Sequence, residues 1–270
     1  MSKTLSFRTM IDGREASISD LPPLAFSGFA HFTSMQVRNG TVRGLDLHLE
    51  RLSSASIEMF GRAHSNDEIR AFLRSAIEDG PTNVSLIATV FSRSGEFTSV
   101  GAPNDPAILV RTSPATNGPA GALRLDTVEH QRPLPTIKHV GEATKTYYLR
   151  KAVEKGFDDA AYLDTHGHIS EATIWNMAFW DDKAVVWPRA EMLNGITMQI
   201  VKRQLESLGV PQRQETVAVE TVRRLTGGAV MNSWTPGVPV RVIGSETLPI
   251  SERFINLLHQ AYQMEPEVLI

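Results

Sequence analysis

Lys138, Glu171 and the run Asn194-Gly195-Ile196-Thr197 follow one another along a chain of 270 residues, and each is of a type that does a distinct piece of chemistry. A lysine amine that gives up its proton adds to a carbonyl carbon and forms a Schiff base, which favours a desolvated lysine or one near other positive charge. A carboxylate set among Ile169, Ala172, Ile174 and Trp175, as Glu171 is, is costly to bury unless it meets a charge or a proton-bearing nitrogen. Backbone N–H groups at the start of a helix, with the Thr197 hydroxyl beside them, form a ready seat for a phosphate. Each also has an ordinary reading: a solvated lysine, a loop glutamate capping the turn around Thr173, and a plain helix cap.

The order and spacing of the three carry more than any one of them. An imine-forming lysine, an acid for a protonated ring nitrogen and a phosphate seat are what pyridoxal 5'-phosphate requires of a protein. Other residues extend the set. Arg51, in Leu47-His48-Leu49-Glu50-Arg51-Leu52, is a helical arginine able to add a charge-assisted phosphate contact, or to make a surface ion pair. Ser233-Trp234-Thr235 offers a second clamp of hydroxyls and amides, or a turn in which Trp234 simply packs. Lys145 and Lys151 fall within a helix and read as surface lysines.

The elements that must position these residues are legible in outline. Asp12-Gly13 divides Leu5–Met10 from Glu15–Ile18 as a hairpin, and Asn39-Gly40 ends a strand at His31–Arg38 ahead of Val42, a second hairpin. A helix runs from Leu45 to about Phe60 with Leu45, Leu49, Leu52 and Ile57 on its apolar face, and another runs through Glu78 with Asn66 as its N-cap. Val84–Phe91 and Ala107–Arg111 read as strands. Ser113–Ala122, small, polar and rich in Gly and Pro, reads as a linker. Beyond it come strands near Leu123–Val128 and ending at Ile137, a helix over about Thr144–Lys155, strands flanking His166-Gly167 and Asp181–Lys183, a helix over Met198–Leu208 stopped by Gly209, and a closing helix over Ser251–Met264. The expectation is an α/β (α+β) protein of two domains: a smaller one at 1–112, a linker at 113–122, and a larger one at 123–270 carrying Lys138. A cofactor would lie in the cleft between them.

Composition narrows the function classes. Hydrophobic content of 41% and charged content of 21% are ordinary for a soluble globular chain, and a formal net charge of -3 gives no reason to expect nucleic acid or an anionic membrane as partner. With no cysteine, disulfides, thiolate metal sites and cysteine nucleophiles are excluded, and no metal is expected. No apolar run has the length of a secretion signal or a membrane span, so the expected place of work is the cytoplasm.

Taken together, Leu45 to Val240 resembles the class IV (fold-type IV) pyridoxal-phosphate aminotransferases, the group of branched-chain and D-amino acid aminotransferases and aminodeoxychorismate lyase. The likeness is strongest from Ile137 to Thr197. The family's phosphate-binding H-L-x-R-L matches His48-Leu49-Glu50-Arg51-Leu52, and its Schiff-base lysine, on a strand before a helix leading to Gly, matches Lys138 and Gly156. Its G-x-I-S-E-G, which supplies the acid for the ring nitrogen, appears as Gly167-His168-Ile169-Ser170-Glu171-Ala172, followed by the family's asparagine at Asn176. Its L-P-G-I-T-R appears as Leu193-Asn194-Gly195-Ile196-Thr197-Met198, and its late phosphate loop before T-P-V as Ser233 to Val238-Pro239-Val240.

The resemblance implies a D-amino acid aminotransferase-like fold with Lys138 as catalytic group. Arg51, Glu171, Asn176, Gly195, Ile196, Thr197, Ser233 and Trp234 would then bind the cofactor. It implies a homodimer whose partners are a small-molecule amino donor and a keto acceptor. Three functions fit: an aminotransferase, a lyase releasing pyruvate from an aminodeoxychorismate-type substrate, and a protein that binds the cofactor without turnover. The departures fall on the substrate side. The tyrosine that usually meets the cofactor's phenolic oxygen is Phe32 or Ala143, leaving Tyr147 or Tyr148 as substitutes, and the arginine after G-I-T is Met198. On the divergent strand Gly28–Arg38, His31 and Arg38 are the substrate-binding candidates, Arg38 for a carboxylate.

Overall fold

A computed structural model describes residues 6–96 and 105–270. Leu5, the expected start of the first strand, lies outside them. The chain packs as two compact units. The first holds the chain up to Thr116 together with Ile137–Glu142 and Glu267–Ile270, and the second holds Asn117–Thr136 and Ala143–Pro266. The passage between Thr116 and Asn117 falls within the Gly- and Pro-rich stretch Ser113–Ala122, and the short segment carrying Lys138 packs with the first unit.

In the first unit, β1 (Thr9–Ile11), β2 (Arg14–Glu15), β3 (Ala30–Val37), β5 (Val84–Ser92) and β6 (Pro106–Pro114) form an antiparallel sheet in the order β2-β1-β6-β5-β3. Asp12-Gly13 and Asn39-Gly40 both turn with positive φ, as expected of such pairs. The second hairpin closes only at its turn, where Arg38 and Thr41 exchange backbone bonds of 2.9 Å. The strand that follows, β4 (Thr41–Arg43), then pairs with the C-terminal strand Glu267–Leu269.

Helices α1 (Leu45–Phe60) and α2 (Asn66–Ile77) cover one face of the sheet, where Leu45, Leu49, Leu52, Ile69 and Leu73 share a core with Met35, Leu86 and Val110. Two local expectations are corrected here. Ile57 is 58% exposed, because five residues beyond Leu52 the helix has turned well away from the core, which Ser56 and Met59 face instead. The cap of α2 is Ser65, not Asn66. Its Oγ accepts from Glu68 N–H while the Glu68 carboxylate accepts from Ser65 N–H at 2.8 Å, a reciprocal capping box.

The second unit runs β7 (Leu123–Glu129), α3 (Ala143–Glu154), β8 (Asp159–Leu163), β9 (Ile169–Ala172), β10 (Asn176–Trp180), β11 (Val185–Pro188), α4 (Ile196–Ser207), β12 (Gln212–Glu215), β13 (Gly227–Asn232), β14 (Thr235–Ile243), β15 (Glu246–Thr247) and α5 (Glu252–Met264). Its nine-stranded mixed sheet has the order β12-β11-β10-β13-β14-β7-β8-β9, with β15 on β14. β10 is buried along its whole length because both faces are covered. Met177 and Phe179 enter one core, while Ala178 and Trp180 enter another with Met198, Val201 and Leu205 of α4 and Phe254 and Leu258 of α5. The architecture is mixed α/β, as expected from the sequence. Among the described residues no helix is long and apolar enough to cross a membrane.

Candidate active site

Lys138 is held at the edge of the first unit's sheet. Phe32 N–H donates to Lys138 O at 2.9 Å and Val140 N–H to Ala30 O at 2.7 Å, so Ile137–Val140 lies beside β3 as a short extra strand with His31 opposite His139. Alternation then sends Ile137 and His139 into the core and turns Lys138 to the other face, away from α1 and α2. Lys138 Nζ sits 4.9 Å from the centre of the Phe32 ring. The approach needs glycine at 141, where a Cβ would stand 2.8 Å from Gly28 O.

Arg51 is half-buried on α1, one turn after His48. Burial pushes the His48 pKa down to about 3, with the nearby Arg51 charge adding to the effect against Asp46, so His48 is a neutral ring bonded to Thr33 Oγ1 at 2.6 Å. His31 is fully buried, hydrogen-bonded through Nε2 to Ser56 Oγ at 2.9 Å and packed on Phe60, and burial pushes it down to about 4. It is a core histidine of this unit rather than a group turned toward a ligand. Arg38 donates to Gln36 Oε1 and Val37 O at 3.1 Å each and to Thr116 O at 2.9 Å, which ties down the chain as it leaves β6.

The remaining candidates belong to the second unit. Glu171 lies in the fully buried strand β9, with Arg132 Nη1 3.6 Å from its Oε1. Asn176 opens β10 and donates from Nδ2 to Leu193 O at 2.7 Å, and its Oδ1 fills the space that a side chain at Gly195 would enter. Any larger residue there would have to displace the Asn176 side chain. Gly195 is the N-cap of α4, no side chain caps this helix, and Ile196, Thr197 and Met198 in its first turn are buried. Thr197 Oγ1 donates to Asn232 O at 2.8 Å, and Trp234 N–H donates to Asn232 Oδ1 at 2.8 Å. Asn176, Gly195, Ile196, Thr197, Ser233 and Trp234 are therefore one locality, built from the start of β10, the start of α4 and the β13–β14 turn. The helix begins two residues before the expected Met198, which puts Ile196 and Thr197 in its first turn.

Tyr147 is 56% exposed on α3, stacked edge-on with Tyr148. Tyr148 packs instead into a cluster with His130 and Tyr162, at ring separations of 5.2 and 6.1 Å.

Two supports were not legible in the sequence. Arg132 carries no local motif, since its partner Glu171 is far along the chain. Asp159, buried at the start of β8, accepts from Thr173 Oγ1 at 2.5 Å, Trp175 Nε1 at 2.9 Å and Ala160 N–H at 2.7 Å. Burial raises its carboxyl pKa and these bonds oppose the rise. It holds the turn that directly follows Glu171, and Trp175 in turn packs edge-on against Trp234 at 5.7 Å.

The donor set suits pyridoxal phosphate. Within the second unit, an uncapped, buried helix start with a hydroxyl beside it suits acceptor oxygens, and a buried carboxylate suits a protonated ring nitrogen.

Comparison with known proteins points the same way. The family model for amino-transferase class IV matches residues 30–243. A probable branched-chain-amino-acid aminotransferase of Rickettsia felis is 37% identical over 79 residues, which are 29% of this chain and only 27% of that relative, so the match spans about a quarter of its length. The fold is similar to the branched-chain amino acid aminotransferase from Escherichia coli, at a TM-score of 0.81, 19% identity and coverage of 96% and 93% of the two chains. It is also similar to a putative 4-amino-4-deoxychorismate lyase from Legionella pneumophila, at a TM-score of 0.77, 18% identity and coverage of 95% and 94%.

Proposed function

The chain belongs to the class IV amino-transferase family, and from that premise we propose that it moves an amino group from an amino acid or amine to a 2-oxo acid, with pyridoxal 5'-phosphate as cofactor. The observation that supports the reading is the tie between Thr197 and Asn232, which brings the uncapped start of α4 beside the Asn232–Trp234 turn, two segments distant in sequence that would together seat an anion.

When bound, the cofactor supplies an electron sink for the carbanion formed at the substrate's Cα. Lys138 Nζ would hold the cofactor and, as the general acid-base of the site, would move the proton between the substrate's Cα and the cofactor's C4′ carbon. Glu171, kept in place by Arg132, holds a proton on the ring nitrogen. Arg51, the amides of Ile196 and Thr197, and Ser233 and Trp234 hold the phosphate. Asn176 keeps Gly195 and the entry to α4 in place.

We assign a homodimer as the working assembly. Ile18, Phe26 and Phe29 stand 85%, 70% and 43% exposed within one short stretch, and a second copy would cover them. The partners are small molecules in the cytoplasm, with no part for nucleic acid or membrane. Size-exclusion chromatography with light scattering tests the assembly, and a monomer at all concentrations removes it.

The direct test is borohydride reduction of the cofactor-loaded protein and of Lys138→Ala, followed by peptide mass spectrometry, and then absorption spectra with a panel of D- and L-amino acids. The label should fall on Lys138 and be absent from the variant. Conversion of the cofactor to its amine form by some donor identifies an aminotransferase. Pyruvate release without any keto acceptor identifies the lyase instead, and a spectrum unmoved by every donor identifies a binding protein. No label in wild type ends the assignment of Lys138.

A further inference from the structure

Consecutive residues of β3, Ala30, His31, Phe32 and Thr33, tie two separate parts of the first unit to one strand. Ala30 and Phe32 use their backbones. Val140 N–H donates to Ala30 O at 2.7 Å and Phe32 N–H to Lys138 O at 2.9 Å, which seats the strand of Lys138. His31 and Thr33 use their side chains, which alternation sends to the face covered by α1. There His31 Nε2 shares a hydrogen bond of 2.9 Å with Ser56 Oγ, and Thr33 Oγ1 one of 2.6 Å with His48 Nδ1. Both partners belong to α1, and Arg51 lies between them in the helix.

The two backbone bonds flank the pair His31–His139 without joining it, the arrangement in which facing side chains of antiparallel strands come closest. Both histidines are buried, so the ring that grips α1 is also the cross-strand neighbour of the residue next to Lys138. Among the described residues nothing bonds His31 Nδ1, which leaves Ser56 as the polar group that sets the direction of the ring. Apolar contacts such as those of Leu49 and Leu52 hold α1 down but tolerate sliding; a hydrogen bond has a preferred distance and direction.

Pyridoxal 5'-phosphate carries its aldehyde and its phosphate on one rigid ring, so an amine and a guanidinium that hold its two ends must keep a set separation. We infer that His31 is a positioning residue: through Ser56 it fixes α1, and Arg51 with it, against the strand that presents Lys138. The inference rests on the roles proposed for Lys138 and Arg51, and it names what sets the span between them.

Equilibrium dialysis of pyridoxal 5'-phosphate and of pyridoxal, which lacks the phosphate, measures what the phosphate contributes to binding. Wild type should prefer the phosphate form. His31→Leu combined with Ser56→Ala strands no polar group and should keep a urea midpoint close to wild type. Its preference for the phosphate form should still fall roughly 10-fold, the worth of one hydrogen bond to a charged group. Ser56→Ala alone, a smaller change that guards against misfolding of the pair, should shift the preference the same way. His31→Gln, which keeps a polar end toward Ser56, should retain part of it. In an Arg51→Gln background the paired change should lower the preference no further, since His31 acts through Arg51. An undiminished preference in Ser56→Ala and in the paired variant, or full additivity with Arg51→Gln, overturns the inference alone. Equal binding of the two forms by wild type overturns it together with the role of Arg51. Absence of a borohydride-fixed label on Lys138 overturns it together with the role of that lysine.

Discussion

Arg132 Nη1 stands 3.6 Å from Glu171 Oε1, and the two side chains are 9% and 7% exposed. Removing one partner of a buried ion pair strands the other charge, which costs ~3–5 kcal/mol. Arg132→Ala should lower the unfolding free energy in urea by about that amount. Arg132→Ala combined with Glu171→Gln should regain most of it, because no stranded charge remains. A loss under ~1 kcal/mol in the single variant, the size of an exposed pair, would show that the pair is not desolvated as described.

Gly195→Ala sets a methyl group against the Asn176 carboxamide. The clash can be relieved only by giving up the bond from Asn176 Nδ2 to Leu193 O or by moving the start of α4, and overpacking of this kind costs ~1–3 kcal/mol. The variant should bind pyridoxal phosphate at least ~10-fold more weakly, the equivalent of ~1.4 kcal/mol, measured by equilibrium dialysis. Adding Asn176→Ala should restore part of the affinity, as coupled neighbours do. Strict additivity of the two changes would sink the argument.

Asp159→Ala leaves Thr173 Oγ1 and Trp175 Nε1 without their buried acceptor, at a cost of ~1–3 kcal/mol for each stranded group. Asp159→Asn keeps an acceptor and should lose less. Because Trp175 packs against Trp234, the alanine change should also alter the tryptophan emission and its response to cofactor. Unchanged emission, with stability alone reduced, would confine Asp159 to a structural part.

His31 and His48 give the fold a pH dependence of defined sign. Their folded pKa values, pushed down to about 4 and about 3, lie below the unfolded value near 6.5, so the unfolded chain binds more protons between those limits. Stability is complete above about pH 6.5 and falls as pH drops, by up to ~1.4 kcal/mol per unit for each ring. Urea midpoints at pH 7 and pH 5 should therefore differ, and His31→Gln with His48→Gln should flatten the difference. A pH-independent midpoint in wild type would mean the rings are not buried neutral.

How much of this was legible beforehand depends on the range of the interaction involved. Leu45, Leu49 and Leu52 named the buried face of α1, but Ile57 did not belong to it, since counting apolar residues without phase admits one that has rotated out. Ser65 was passed over for its neighbour Asn66, although the Ser65–Glu68 pair needed only local reading. Thr197 was named from the helix start it opens and Asn176 from resemblance, and what they touch, Asn232 and Leu193, came from packing. His31, marked for substrate, lies in the core because Ser56 and Phe60 of α1 meet it there.

The sequence by itself determined the chemistry available: a lysine, an acid and a helix start in family order, no thiols, turns at Asp12-Gly13 and Asn39-Gly40, and helices whose apolar periods are read within one segment. Such signals are local, because propensity, caps and turns act over a few residues. Only the tertiary structure decided that Arg132 meets Glu171, that Asp159 braces Thr173 and Trp175, and that His31 meets Ser56 on one side and His139 on the other. Those relations are set by strand register and by burial against residues remote in sequence. A shift of one residue in register would turn each of those side chains to the opposite face without altering a letter of the sequence.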